Sequence, residues 1–371
     1  MPGFYLHIPF CRQKCFYCNF VITLQQSSSA RKRFFASLES EIDRSREVYG
    51  KIAFDTFYIG GGTPSLLTPD EMASLVQKVK SRFEFKPGFE FTCEFNPGDL
   101  DLERIQAFKS LGINRISLGV QAFQNRLLRE MGRQHTLQDI HATVQMIRDA
   151  GVHNISFDLI GGLPNQSLKD FEESLEETLR LQPSQVSLYD LEVHENTPWG
   201  VERKKGRLIL PEEALRAEMF QAAIDHLTGA GYEQYEISTF AKPGFEARHN
   251  LIYWNNLEYL GLGPGAFSYI KGTRSQFSLD VAEYLRKCEA GDWEPAVKDI
   301  LTEAEKEMET LVTGLRLKQG IDIGRFKAVR AQLEERINLL EKDHLLERSG
   351  DQVTLTSRGR FLAERVFGVL C

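Results

Sequence analysis

Three cysteines within eight residues, Cys11-x-x-x-Cys15-x-x-Cys18, are the densest set of metal-binding side chains in the chain. Thiolates at this spacing can reach three irons of one cubane cluster from a single loop. A [4Fe–4S] cluster usually takes four cysteines, so a local supply of three leaves one iron open to a non-protein ligand. Two other readings stand on the residues alone. Zinc would prefer a second ligand pair, which does not appear. Core cysteines would not sit among Arg12, Gln13 and Lys14. The run Gly60-Gly61-Gly62-Thr63-Pro64 lets backbone approach a ligand closely and present amides to it, and a tight turn explains it equally well. Asp158 is a charge inside the apolar segment Phe157-Asp158-Leu159-Ile160, where it is costly without a partner and therefore purposeful. Glu94 taken alone reads as a capping or surface carboxylate, and Arg133 as a surface charge. Cys93, Cys288 and Cys371 are scattered and have no visible partner.

These residues need a scaffold, and the sequence offers alternating strands and helices. Strand patterns fall at 4–8, 54–59, 89–95, 113–120, 152–160, 185–191 and 232–240. Helix patterns fall at 31–48, 69–82, 101–110, 136–149, 167–181 and 212–230. Thr68-Pro69-Asp70-Glu71 is a capping box with proline at the first helical position. Thr136 to Asp139 and Ser167 to Asp170 repeat the box spacing. Strands joined by such helices pair in parallel with right-handed crossovers. About six units predict an α/β fold, a partial (β/α)6-type barrel over 1–240, with chemistry at the C-terminal ends of its strands. Segment 241–300 reads as an extension of weaker order. Residues 301–371 read as a small winged-helix-like α+β domain: helices 302–317 and 323–343, a hairpin around Ser349-Gly350-Asp351, and a last helix at 357–368.

Composition narrows the function classes. The 371 residues are 42% hydrophobic and 26% charged, ordinary for a globular protein, with a net charge of −7. An acidic chain is a poor general binder of nucleic acid or anionic membrane, so no nucleic-acid partner and at most a peripheral membrane contact are expected. The basic clusters Arg31-Lys32-Arg33 and Arg203-Lys204-Lys205 are small, solvated faces. No apolar run approaches the roughly 20 residues that span a bilayer. The start of the chain lacks the series of features that marks a signal peptide. Six cysteines with one local cluster suit a cytoplasmic chain better than a disulfide framework.

The cysteine loop after the first strand resembles that of the radical S-adenosylmethionine (SAM) superfamily. Tyr5-Leu6-His7-Ile8-Pro9-Phe10-Cys11 is similar to the opening of its oxygen-independent coproporphyrinogen III oxidase branch. Within that branch the chain is most similar to the haem chaperones, the HemW family, and the resemblance covers nearly its whole length. It implies that Cys11, Cys15 and Cys18 hold a [4Fe–4S] cluster whose fourth iron is chelated by SAM. It implies SAM contacts from Tyr5, Gly61, Gly62, Thr63, Glu94, Gln121, Arg133 and Asp158. It overturns the surface readings of Glu94 and Arg133 by register alone.

One departure separates two functions within the branch. The oxidases carry a further cysteine two residues past the cluster motif, where this chain has Phe20. A phenyl ring neither binds metal nor moves protons. Arg248-His249-Asn250-Leu251-Ile252-Tyr253-Trp254 matches the His-Asn-x-x-Tyr-Trp motif of the chaperones. His249 would then ligate haem iron while the aromatic rings cover the macrocycle; on its own it reads as a hydrogen-bonded histidine in an aromatic corner. Phe267 stands where relatives often have histidine, which removes one candidate ligand. The expectation is a haem chaperone that hands haem to apo-haem proteins, with oxidative decarboxylation of coproporphyrinogen as the alternative. The resemblance leaves open whether SAM is cleaved and whether the chain forms a homodimer.

Overall fold

The computed structural model describes residues 2–371. Six strands, β1 (Gly3–Ile8), β2 (Ala53–Gly61), β3 (Glu84–Phe95), β4 (Arg115–Gln121), β5 (Asn154–Gly161) and β6 (Gln185–Asp190), lie side by side in chain order. Every neighbouring pair is parallel. The helices Ser28–Tyr49, Pro69–Arg82, Leu102–Ser110, Leu137–Asp149 and Leu168–Leu181 make the crossovers. The three capping boxes expected at Thr68, Thr136 and Ser167 are formed, each with both reciprocal bonds.

The curved sheet stays open. The single strand expected at 232–240 is two short ones, β7 (Glu233–Glu236) and β8 (Thr239–Ala241), which fold back as a hairpin. Strand β8 runs antiparallel to β6 and ends the parallel series there. At the other edge β9 (Tyr259–Leu262) pairs parallel with β1. Strands β10 (Phe267–Ile270), β11 (Thr273–Gln276) and β12 (Val297–Ile300) continue outward in antiparallel order. The weakly ordered segment 241–300 thus extends the same twelve-stranded sheet. Its strands of four residues are too short to show a period.

Alternation along each strand decides what the sheet encloses. Phe57, Ile59, Phe91, Cys93, Ile116, Leu118, Ile155, Phe157, Val186 and Leu188 point to the helices and are buried. The residues between them, Tyr58, Glu94, Arg115, Ser117, Asp158, Gln185 and Ser187, line one cavity of about 510 Å³. A barrel packed with branched aliphatic layers has no such space. Here the inward face is polar.

The C-terminal unit has its own core, built around Leu311, Leu333, Ile337, Val353 and Val366. Its small sheet orders β13 (Ile321–Asp322), β15 (Gln352–Leu355) and β14 (Leu346–Ser349). The helix expected from 323 starts only at Arg330, because the Glu307 carboxylate accepts from the Lys327, Ala328 and Val329 amides in the preceding turn. The unit is fastened to the barrel by Arg316. Its guanidinium lies 4.3 Å over the Trp254 ring, and its Nη2 is 3.1 Å from a Glu236 carboxylate oxygen.

Candidate functional site

The cysteine loop leaves β1 at the C-terminal rim of the barrel and is tied down by backbone bonds at both sides. Phe16 N–H donates to the Met131 carbonyl at 3.0 Å, and Trp199 N–H donates to the Phe16 carbonyl at 3.0 Å. His7 Nε2 lies 2.7 Å from the Val21 carbonyl, and the Tyr5 hydroxyl lies 3.1 Å from His7 Nδ1. This fixes the loop from beneath. Cys11, Cys15 and Cys18 are half-buried, free and all on the cavity wall. Burial pushes the Cys11 thiol up to about 12, against the hydrogen-bonding Thr63 hydroxyl 3.4 Å away. Among the described residues no three His, Cys, Asp or Glu groups converge on a single-ion site. The three sulfurs share a wall without closing on one point.

Gly61, Gly62 and Thr63 also reach the cavity, but their amides are engaged within the chain. Gly61 N–H donates to Glu94 Oε2 at 3.0 Å, Gly62 N–H to the Ile8 carbonyl at 2.8 Å, and Thr63 N–H to the Phe10 carbonyl at 2.8 Å. The glycines therefore serve close approach. Gly61 has φ +109°, and a Cβ there would lie 2.5 Å from the His7 ring. The run presses the end of β2 against the start of the cysteine loop.

Glu94 is held on both oxygens, by the Tyr58 hydroxyl at 2.8 Å and by the Gly61 amide. Burial raises it to about 7. Asp158 accepts from Ser117 Oγ at 3.2 and 3.3 Å, and burial raises it to about 6. Gln121 ends β4 with φ +69°, a left-handed conformation that a glutamine adopts at a cost, here at the cavity wall. Arg133 reaches across the rim. Its Nη2 donates to Asn96 Oδ1 and to the Gly119 carbonyl, each at 2.6 Å, and its Nη1 lies 3.7 Å from Cys15 Sγ. Nine of the expected positions thus meet at one cavity wall: the three cysteines, Gly61, Gly62, Thr63, Glu94, Gln121 and Asp158, with Arg133 as a tenth.

Two expected residues are not brought to that wall. Tyr5 lies behind it, bonded to His7. His249 is sealed in the helix Arg248–Trp254 and is 1% exposed. Its Nδ1 is 2.7 Å from the Thr56 hydroxyl and its Nε2 is 2.9 Å from the Tyr253 hydroxyl. Both ring nitrogens have partners, and burial lowers its pKa to about 3. The Glu90 carboxylate caps this helix through the Arg248 and His249 amides, both at 3.0 Å. The helix sits against the N-terminal ends of β2 and β3, opposite the cysteines. In this arrangement His249 presents no free ring nitrogen, and its ring is buried away from the cavity wall.

Sequence reasoning also passed over Arg115, which is 2% exposed and lines the cavity. The signal was present. Counting back in twos from Gln121 through Gly119 and Ser117 arrives at Arg115.

Comparison with known proteins agrees with this geometry. Residues 5–178 match the radical SAM superfamily, and residues 301–362 match the HemN C-terminal domain. A Lactococcus lactis protein named haem chaperone HemW is 35% identical over 98% of this chain and 95% of its own length. The Bacillus subtilis HemW is 36% identical over 99% and 98%. This chain belongs to the HemW family. The Synechocystis HemW is 37% identical over 96% of this chain and 84% of its own length. The fold of this chain is similar to that of the Escherichia coli coproporphyrinogen III oxidase HemN, described as a radical SAM enzyme. It superposes with a TM-score of 0.88 over 100% of this chain and 90% of HemN, at 22% identity. No helix among the described residues is long and apolar enough to cross a membrane.

Proposed function

We propose that this protein binds haem and passes it to apo-haem proteins, and that it carries a [4Fe–4S] cluster on Cys11, Cys15 and Cys18 with SAM at the open iron. The observation that carries the reading is the position two residues past the cluster motif. Phe20 stands there, 67% exposed at the cavity mouth, so the rim offers an apolar face where the oxidase branch needs a thiol. The HemW relatives point the same way.

The lumen fits the two cofactors chemically. Three thiols on one wall without convergence suit ligands to separate irons better than a tetrahedral zinc site. Glu94 on β3 and Asp158 on β5 would meet the cationic and hydroxyl groups of SAM from either side of β4. Arg133 would meet its carboxylate, and the left-handed Gln121 closes the wall between them. When bound, the reduced cluster supplies the electron that can cleave a sulfonium. The chain's own part is to orient the groups and keep the cavity walled. Because His249 is sealed, haem would approach the exposed Phe20 rim, and its iron ligand would come from outside the Arg248–Trp254 helix.

Anaerobic reconstitution followed by two assays tests the reading. A stable Soret band with haem transfer to an apo-haem protein, and no coproporphyrinogen turnover with SAM and reductant, is expected. Efficient decarboxylation would overturn it.

A further inference from the structure

The floor of the lumen contains an unpaired cation. Arg115 is among the largest fully buried side chains, lines the cavity, and takes part in no ion pair or side-chain hydrogen bond among the described residues. Its Nε has no partner. Two more buried polar atoms without partners, Thr92 Oγ1 and Asn154 Oδ1, belong to its register neighbours on β3 and β5. Three orphaned polar atoms at one level of three adjacent strands mark a layer that the chain does not satisfy by itself, the kind of place where ordered water resides. A guanidinium left there does not brace the fold. A buried charge without a partner is also expensive, so something nearby must offset it.

The offset comes from the layer above. Ser117, two residues on from Arg115, is the register partner of Glu94 and donates to Asp158. The two carboxylates therefore flank Arg115's own strand, Glu94 one step higher on β3 and Asp158 two steps higher on β5, roughly 7 and 13 Å along the strands between backbone positions. We propose that Arg115 is a positioning residue that holds Glu94 and Asp158 in their charged form without pairing with either, so that the site presents negative charge to cationic SAM. This rests on the SAM reading given above.

The surrounding groups leave little else to do this. The phenols facing the pair, Tyr5, Tyr58, Tyr253, Tyr17 and Tyr189, are all pushed far up by burial and stay neutral. Asp158 and Glu94 each oppose the other's ionisation. Arg133 helps Asp158 from the rim, while Arg115 favours the charged form of both. The buried His249 below is neutral. A charge roughly 7 to 10 Å from a carboxylate in a partly polar interior moves its midpoint by about one to two pH units.

The test is SAM binding to the anaerobically reconstituted full chain by equilibrium dialysis between pH 6 and 9. In Arg115→Met the affinity is expected to fall about tenfold at pH 6.5 and to match or exceed wild type at pH 9, where the carboxylates ionise unaided and one cation no longer repels the ligand. Arg115→Lys is expected to restore the wild-type profile, and it serves with Arg115→Gln if the methionine variant does not fold. Glu94→Gln is expected to flatten the pH dependence. Loss by one common factor at every pH, as a structural role gives, would overturn the proposal while leaving SAM binding intact. No SAM binding by wild type would sink the underlying SAM reading, and with it this one.

Discussion

The cysteine loop and the Arg248–Trp254 helix stand at opposite ends of one lumen, and both look like ligand carriers in the sequence. They differ in what their reactive atoms touch. The loop's sulfurs are half-buried, lie on the cavity wall and keep room for a ligand. The helix's imidazole has two hydrogen-bond partners and no access. A motif supplies residue types, but only an unsatisfied atom with a path to it is a site. The same contrast applies to the acids and bases. At the rim and middle, Glu94 and Asp158 are raised by burial, whereas at the floor His249 is lowered by burial.

The largest effect should come from the open end. Cys15→Ser is expected to abolish the iron–sulfur chromophore and SAM retention, read by iron analysis and visible absorption. A full iron complement in that variant would break the contrast. Next, His249→Ala leaves two buried hydroxyls unpaired and removes a packed ring, which should lower stability by about 3 kcal/mol. The Soret position of the haem-loaded protein should stay where it is. A shifted band with unchanged denaturation would place His249 among the ligands after all.

A third and smaller effect concerns pH. Glu94 has a folded pKa above its unfolded value, so its contribution to stability is present below about 4.5 and is lost as pH rises towards 7. His249 has a folded pKa below its unfolded value, so its contribution is present above about 6.5 and is lost as pH falls towards 3. In denaturant titrations of the cofactor-free chain, Glu94→Gln should flatten the neutral limb of the stability curve. His249→Gln should flatten the acid limb. The smallest change is expected for Phe20→Ser. Its exposed ring adds little to the fold, so stability should move by less than about 0.5 kcal/mol while haem retention falls, followed by the Soret band on gel filtration.

Much of this was legible in the residues. The capping boxes at Thr68, Thr136 and Ser167 announced their helices because a cap is a local hydrogen-bond pattern. The six parallel strands announced themselves through apolar segments set between helices. The hairpin β7–β8 and the four-residue strands β9–β12 did not, because such short strands are stabilised by neighbours and not by their own period. The cysteine spacing is equally local, and it pointed to the cluster loop without a structure.

What the sequence determined by itself was therefore local: the thiolate spacing, the caps, the alternation that makes one face of each strand polar, and the absence of a thiol at Phe20. The tertiary structure decided which of those groups remain available. It turned the amides of Gly61, Gly62 and Thr63 inward onto Glu94, Ile8 and Phe10, closed both nitrogens of His249 with Thr56 and Tyr253, and left Arg115 unpaired on the floor. The physical reason is that satisfaction of a polar atom depends on partners brought from distant strands, 193 residues away for the Thr56–His249 bond, and no window of sequence contains both ends.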